Sequence, residues 1–215
     1  HHGYVPRMKS ALQAIGYDEN VFKVMLVQFV SLKRGGEKVS MSTRSGKFVT
    51  LSDVIKEVGV DATRFFFLMR SSDTHLDFDL ELAKKESPEN PVFYIQYAHA
   101  RICSIFQTAT KQGINLLDQV DLDLKPLENE EELIIIKKIL AFTETVEKSA
   151  ELLEVHRIAF YLQDLVGTFH RYYSSNRIVS DDQTVTLARL FLMNCLRVTI
   201  RNGLSIMGVS APASM

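Results

Sequence analysis

Between residues 35 and 47 the chain reads Gly35-Gly36-Glu37-Lys38-Val39-Ser40-Met41-Ser42-Thr43-Arg44-Ser45-Gly46-Lys47, a run of cations and hydroxyls framed by glycines. Lysine and arginine bring positive charge and serine and threonine bring donors, a combination suited to stabilising a pyrophosphate as it departs. The flanking glycines allow such a segment to move over its ligand. By charge pattern alone the run reads more readily as a solvated basic surface loop, and one loop of this kind is weak evidence.

The elements around it must position it. A helix is expected near Val5 to Ile15, then a β-rich run at Phe22 to Leu32, the loop itself, and a helix near Leu51 to Val58. Val24, Met25, Leu26, Val27, Phe29 and Val30 have almost no polar interruption, as in a strand buried on both faces of a parallel sheet. A further helix starts at Asp61, read as its N-cap, with Ala62, Phe65, Phe66 and Met69 as its apolar stripe. After about Ser87, between Pro88 and Pro91, the texture changes to long helices. These span Val92 to about Ala109, then one helix holding Leu133, Ile136, Leu140, Val146 and Ala150, then His156 to about Tyr173, then Gln183 to about Met207 capped by Asp181 or Asp182. With no internal repeat, this second part is expected to be a helix bundle.

Composition sets bounds. The 215 residues are 46% hydrophobic, enough for one sizeable core or two smaller ones. Net charge is -1, which does not advertise a nucleic-acid partner, but its distribution is uneven. Basic zones near Lys33 to Lys47 and from His156 onward flank an acidic region from Asp118 to Glu132. Cys103 and Cys195 show no metal-ligand spacing and read as buried, reduced thiols of a cytoplasmic chain. No run reaches the roughly twenty apolar residues of a membrane span.

The loop continues into Phe48-Val49-Thr50-Leu51, Val58-Gly59-Val60-Asp61-Ala62 and Arg64-Phe65-Phe66-Phe67-Leu68-Met69-Arg70. In that setting it resembles the signature loop of class I aminoacyl-tRNA synthetases, and in detail the arginine-specific family. Three further segments extend the likeness over nearly the whole chain: His1-His2-Gly3-Tyr4-Val5-Pro6-Arg7-Met8-Lys9, His75-Leu76-Asp77-Phe78-Asp79, and Asn90-Pro91 leading into Gln96-Tyr97-Ala98-His99-Ala100-Arg101. It is weakest between about Thr110 and Glu132. The resemblance implies a mainly α chain in three parts. Residues 1–50 would be the C-terminal part of an α/β, Rossmann-like nucleotide-binding catalytic domain with its signature loop, 51–87 a helical stem, and 88–215 an all-helical anticodon-binding domain. It implies a ligase that joins arginine to tRNA-Arg using ATP and Mg2+, the metal carried by the substrate with no protein ligand. The family is mostly monomeric and cytoplasmic. Because the upstream half of such a nucleotide fold is missing here, this chain alone is expected not to charge tRNA.

The family's usual loop pattern is Lys-Met-Ser-Lys-Ser, and Ser40 and Thr43 stand at the lysine positions. Lys38, two residues upstream, is expected to take over the phosphate contact, with Arg44 and Lys47 as second choices. The resemblance places Lys38, Ser42 and Arg44 in catalysis, and His1, His2, Lys38, Ser40, Met41, Ser42 and Thr43 around ATP. For His1 and His2 a cut terminus or the remainder of a purification tag is the alternative. Tyr97, Arg101, Tyr173, Asn176, Arg177 and Met215 are the implied tRNA contacts, with His99 and Tyr172 beside them, since RNA loops are read by bases stacked on aromatic faces and phosphates held by arginine. Tyr97 and Tyr172 could as readily be core aromatics, exposed arginines are often only solubilising, and His156 and His170 read as helix-surface or cap residues. The usual charged pair before the terminal methionine is replaced by Ala213 and Ser214. A stand-alone RNA-binding or protein-interaction module is the rival reading, and a cysteine-specific synthetase a second. The absence of zinc-ligand clusters argues against the latter.

Overall fold

Gly35 and Gly36 have φ of 58° and 87°. Two successive residues in the left-handed region make the tight turn whose twist suits a hairpin. It joins β1 (Val30–Arg34) to the short edge strand β2 (Glu37–Lys38), with Lys33 opposite Lys38. The first pair of glycines in the basic loop therefore sets a hairpin register. On the other side of β1 lies β3 (Leu76–Asp79), parallel to it, giving the order β2-β1-β3. The crossover between β1 and β3 carries α2 (Leu51–Val58) and α3 (Val60–Leu68). In this computed structural model the described residues are 2–39, 49–115 and 122–215.

Upstream, α1 (Tyr4–Ala14) buries none of its residues, and a 3-10 turn follows at Glu19–Val21. Residues 22–29 form no regular strand, contrary to the sequence-based expectation. Val27 and Phe29 are 74% and 86% exposed. Apolar composition makes burial favourable, but a strand needs a partner ladder. Here Gln28 N–H meets Ser72 O at 3.0 Å, and the register with β3 starts only at Val30.

Local chemistry accounts for the helix starts. Thr50 and Asp53 form a reciprocal capping box on α2, and Asn129 and Glu132 form one on α6 (Glu130–Leu140). Asp79 caps α4 (Leu80–Lys84), Pro91 opens α5 (Pro91–Lys111), and Asp182 caps α9 (Gln183–Ile206). Asp61 is not a cap: Gly59, at φ 84°, is both the C-cap of α2 and the N-cap of α3, which leaves Asp61 in the first turn. The single helix expected across Leu133 to Ala150 is two, α6 and α7 (Phe142–Leu152), joined through Ala141. Thr145 donates both its N–H and its hydroxyl to the Ala141 carbonyl, a pattern that bends helical backbone.

The described part of the chain is mainly helical, and one continuous apolar core runs from Leu32 and Phe78 beside the sheet to Leu204 and Val209 at the end of α9. In the bundle, α8 (His156–Ser175) buries Ile158, Leu162, Leu165, Val166, Phe169 and Tyr172 at helical spacing. Gly203 lets α9 approach closely, because a Cβ there would stand 2.8 Å from a Leu162 methyl.

Candidate nucleic-acid interface

On α5, Tyr97, Arg101 and Ser104 recur at intervals that keep them on one side of the helix. The Arg101 guanidinium lies 4.9 Å from the Tyr97 ring centroid and 5.0 Å from that of Tyr173 on α8. Among the described residues Arg101 has no acidic partner, so two aromatic faces hold the cation while its N–H donors remain available. The stack continues behind it. Phe93 and Tyr97 are parallel to within 9° at 6.1 Å, and His170 lies 6.0 Å from Tyr97 and 4.4 Å from Tyr94.

His170 is thus no surface or cap residue. Its Nε2 is buried without a partner, burial depresses its pKa against the raising effect of a hydrogen bond that the ring donates to the Tyr94 backbone, and the nearby Arg101 charge lowers it further. It acts as a neutral ring supporting Tyr97. Tyr172, by contrast, is wholly buried and belongs to the core, while its neighbour Tyr173 is only partly buried.

A cavity of about 350 Å³ opens where this stack meets the last residues of the chain, lined by Tyr97, Arg101 and Tyr173 on one side and Ala213, Ser214 and Met215 on the other. Met215 is itself exposed. A second cavity, about 310 Å³, shares the Ser104 and Tyr173 walls and is edged by Thr108, Arg177 and Ile178. Each could take one unstacked base. Arg177 is exposed and without an ion pair among the described residues. Asn176 lines the second cavity too, but its amide donates to Glu131 at 2.8 Å and its oxygen accepts from Asn129, so it ties the end of α8 to the start of α6.

The tail is held by groups whose role was not legible in the sequence. Gly208 has φ 64° and the Arg64 guanidinium lies 2.5 Å from where a Cβ would stand. Arg64 Nε donates to Met207 O at 3.2 Å, and Ser210 N–H donates to Asp61 at 3.1 Å. Gln96 donates to Asp61 at 2.8 Å and to Ser210 O at 3.0 Å. His99 meets Pro212 O at 2.8 Å, so it faces the tail and is 5% exposed, not an open contact surface. Burial lowers its pKa, with Arg197 and Arg201 adding to the effect against that hydrogen bond. Asp61 and Ser210 are 149 positions apart, and no local pattern announces such a pair.

At the other end, Lys38 is exposed on the edge strand. Its opposite residue Lys33 is neutralised by Asp77 at 2.7 Å. Arg34 bridges Glu57 of α2 and Glu81 of α4, which fastens the hairpin to the helices. His2 is exposed ahead of α1. Ser40, Met41, Ser42, Thr43, Arg44 and Lys47, with His1, lie outside the described residues. Cys103 and Cys195 are free and half-buried. Among the described residues no cluster of acidic, histidine or cysteine side chains could hold a metal ion, and no helix is long and apolar enough to cross a membrane.

Residues 95–215 match the family model described as the DALR anticodon binding domain. Over its full length the chain is 53% identical to an arginine–tRNA ligase of Syntrophotalea carbinolica and 52% identical to one of a Geobacter species, and it spans 39% of the length of each. An arginyl-tRNA synthetase structure from Campylobacter jejuni superposes on the whole chain with a TM-score of 0.88 at 36% identity, the match taking up 46% of that chain. The Thermus thermophilus arginyl-tRNA synthetase shares the fold over 86% of this chain and 34% of its own, with a TM-score of 0.63 at 24% identity.

Proposed function

Because the chain belongs to the DALR anticodon binding domain family, we propose that it reads the anticodon loop of tRNA-Arg and supplies the phosphate-clamping loop of an arginine–tRNA ligase. The single observation that carries this reading is the cavity in which Arg101, held between Tyr97 and Tyr173, faces the chain's last residues. An unpaired base would stack on the aromatic faces while Arg101 donates to its acceptor edge, and Arg177 and Met215 would contribute a phosphate contact and an apolar contact. Asn176 would act at the rim, bracing the helix ends.

The same reading assigns residues 1–50 to the catalytic domain, 51–87 to the stem and 88–215 to anticodon binding. In the whole ligase the arginine carboxylate would attack the α-phosphate of ATP, with Mg2+ on the nucleotide. Pyrophosphate would leave, giving an arginyl-adenylate, and a hydroxyl of the tRNA's terminal adenosine would take the arginyl group from it with release of AMP. Lys38, with Ser42 and Arg44, would neutralise the leaving charge. Ser40, Met41 and Thr43 would line the nucleotide, with His1 and His2 near its adenosine. A cytoplasmic monomer suits these roles.

The test is a titration of the chain with anticodon stem-loop hairpins. An arginine anticodon should bind more tightly than the same hairpin with one anticodon base changed, and affinity should fall as salt rises because phosphate neutralisation releases counterions. Equal affinity for all hairpins would end this reading.

A further inference from the structure

Val209 is the last fully buried apolar residue of the tail, with Ala211 partly buried against the core, and polar anchoring runs alongside and past it. Asp61 accepts from the Ser210 N–H at 3.1 Å and from the Ser210 hydroxyl, and Gln96 bridges the two residues by donating to Asp61 at 2.8 Å and to Ser210 O at 3.0 Å. One turn along α5, His99 holds Pro212 O at 2.8 Å. Gln96 and His99 are 8% and 5% exposed, so these are desolvated groups committed to the tail. Tyr97 and Arg101, on the adjoining strip of the same helix, face the cavity that Ala213, Ser214 and Met215 close.

Beyond Val209 only Ala211 and Pro212 are partly buried and residues 213–215 are exposed, so the bonds at 210 and 212 add little to the core beyond the Ala211 contact. What they determine is place. With Pro212 held by the helix that carries Tyr97 and Arg101, the next three residues are delivered against the base-sized cavity at a defined height. The second point of attachment, Asp61, lies outside α5, on the helix that follows the signature loop and α2.

We propose that Asp61, with Gln96 and His99, is a positioning residue for base discrimination: it sets the register of the C-terminal tail, and so the shape of the cavity that a loop nucleotide enters. The proposal rests on the anticodon-reading function above. Asp61 touches no base itself. Its effect runs wholly through residues 213–215.

The experiment compares the unaltered chain, Asp61→Ala, the chain lacking residues 213–215, and the combination, each titrated with an anticodon stem-loop hairpin and with its single-base variants. Asp61→Ala should reduce the ratio of cognate to variant affinity by about tenfold, the size of one base's contribution. Removing residues 213–215 should do the same, and the combination should do no more than the truncation, since both act through one element. Ser210→Ala, a mild change at an exposed residue, should give a smaller loss in the same direction that disappears in the truncated background. It keeps the test decisive should Asp61→Ala fold poorly. An unchanged ratio in both single variants, or a further loss when either is added to the truncation, overturns the proposal. A merely structural role would lower the unfolding midpoint while leaving the ratio intact. If the unaltered chain shows no preference among hairpins, the functional reading itself has failed, and this inference falls with it.

Discussion

Arg189 Nε donates at 2.8 Å to a Glu132 carboxylate that is wholly buried, although 57 positions separate them. The same oxygen accepts the Tyr172 hydroxyl at 2.7 Å, and the other carboxylate oxygen caps α6 through Asn129 N–H at 3.2 Å. Burial and the adjacent carboxylate raise the Tyr172 pKa, so the phenol stays neutral and donates. Three helices of the bundle meet on one charge.

Removing that charge leaves Arg189 partly buried without its acid. Glu132→Ala should therefore destabilise the chain by about 3 kcal/mol or more, the usual cost of breaking a buried pair. Tyr172→Phe, which removes one donor and keeps the ring, should cost only about 1 kcal/mol. Urea unfolding followed by circular dichroism gives both values, and equal effects would show that the ion pair does not hold the helices.

Arg101→Lys keeps the charge but loses the planar group that lies against Tyr97 and Tyr173. Hairpin affinity should drop by about tenfold, matching the roughly 1 to 2 kcal/mol of a partly desolvated cation–π contact. Arg177→Ala should weaken cognate and variant hairpins alike and flatten the salt dependence by about one charge. If Arg177→Ala changed discrimination more than Arg101→Lys did, the assignment of the two cavities would have to be exchanged.

Lys38→Ala concerns the whole ligase. Arginine-dependent exchange of pyrophosphate into ATP should slow by about a hundredfold or more, the scale for losing one group that stabilises transition-state charge. Binding of the anticodon hairpin should be untouched. Normal exchange would return the phosphate contact to Arg44 or Lys47.

His99 and His170 both have pKa values depressed below 6.5, chiefly by burial. The unfolded chain then takes up protons before the folded one does. Stability should rise with pH between the lowered folded values and about 6.5, and be flat in respect of these groups above that. Urea midpoints at pH 7.5 and pH 5.5 should differ, and His170→Gln should reduce the difference. A larger difference in that variant would contradict the sign. Asp53, Glu57 and Asp77, which hydrogen bonding holds below the usual carboxylate range, lose their contribution only at lower pH.

Helix starts are local matters, so Pro91 and Asp182 marked theirs in the sequence, as the apolar spacing of α8 marked its buried face; the Asn129 cap of α6 is equally local but went unread. Tyr97, Arg101 and Tyr173 were legible as residue types at helical spacing, and the structure brings them together, while most of the loop after Lys38 lies outside the described residues. Phe22 to Phe29 misled because an apolar run states only that burial would be favourable, and burial needs a neighbour. Whether Tyr172 or Tyr173 faces a cavity, whether His99 touches RNA or the tail, and whether Asp61 caps a helix or grips Ser210 are questions of which groups meet. Those pairings join residues up to 149 positions apart, and only the packing of the helices on one another brings them within hydrogen-bond distance. Local propensity acts along a turn or two of chain, whereas the site is made by contacts across it.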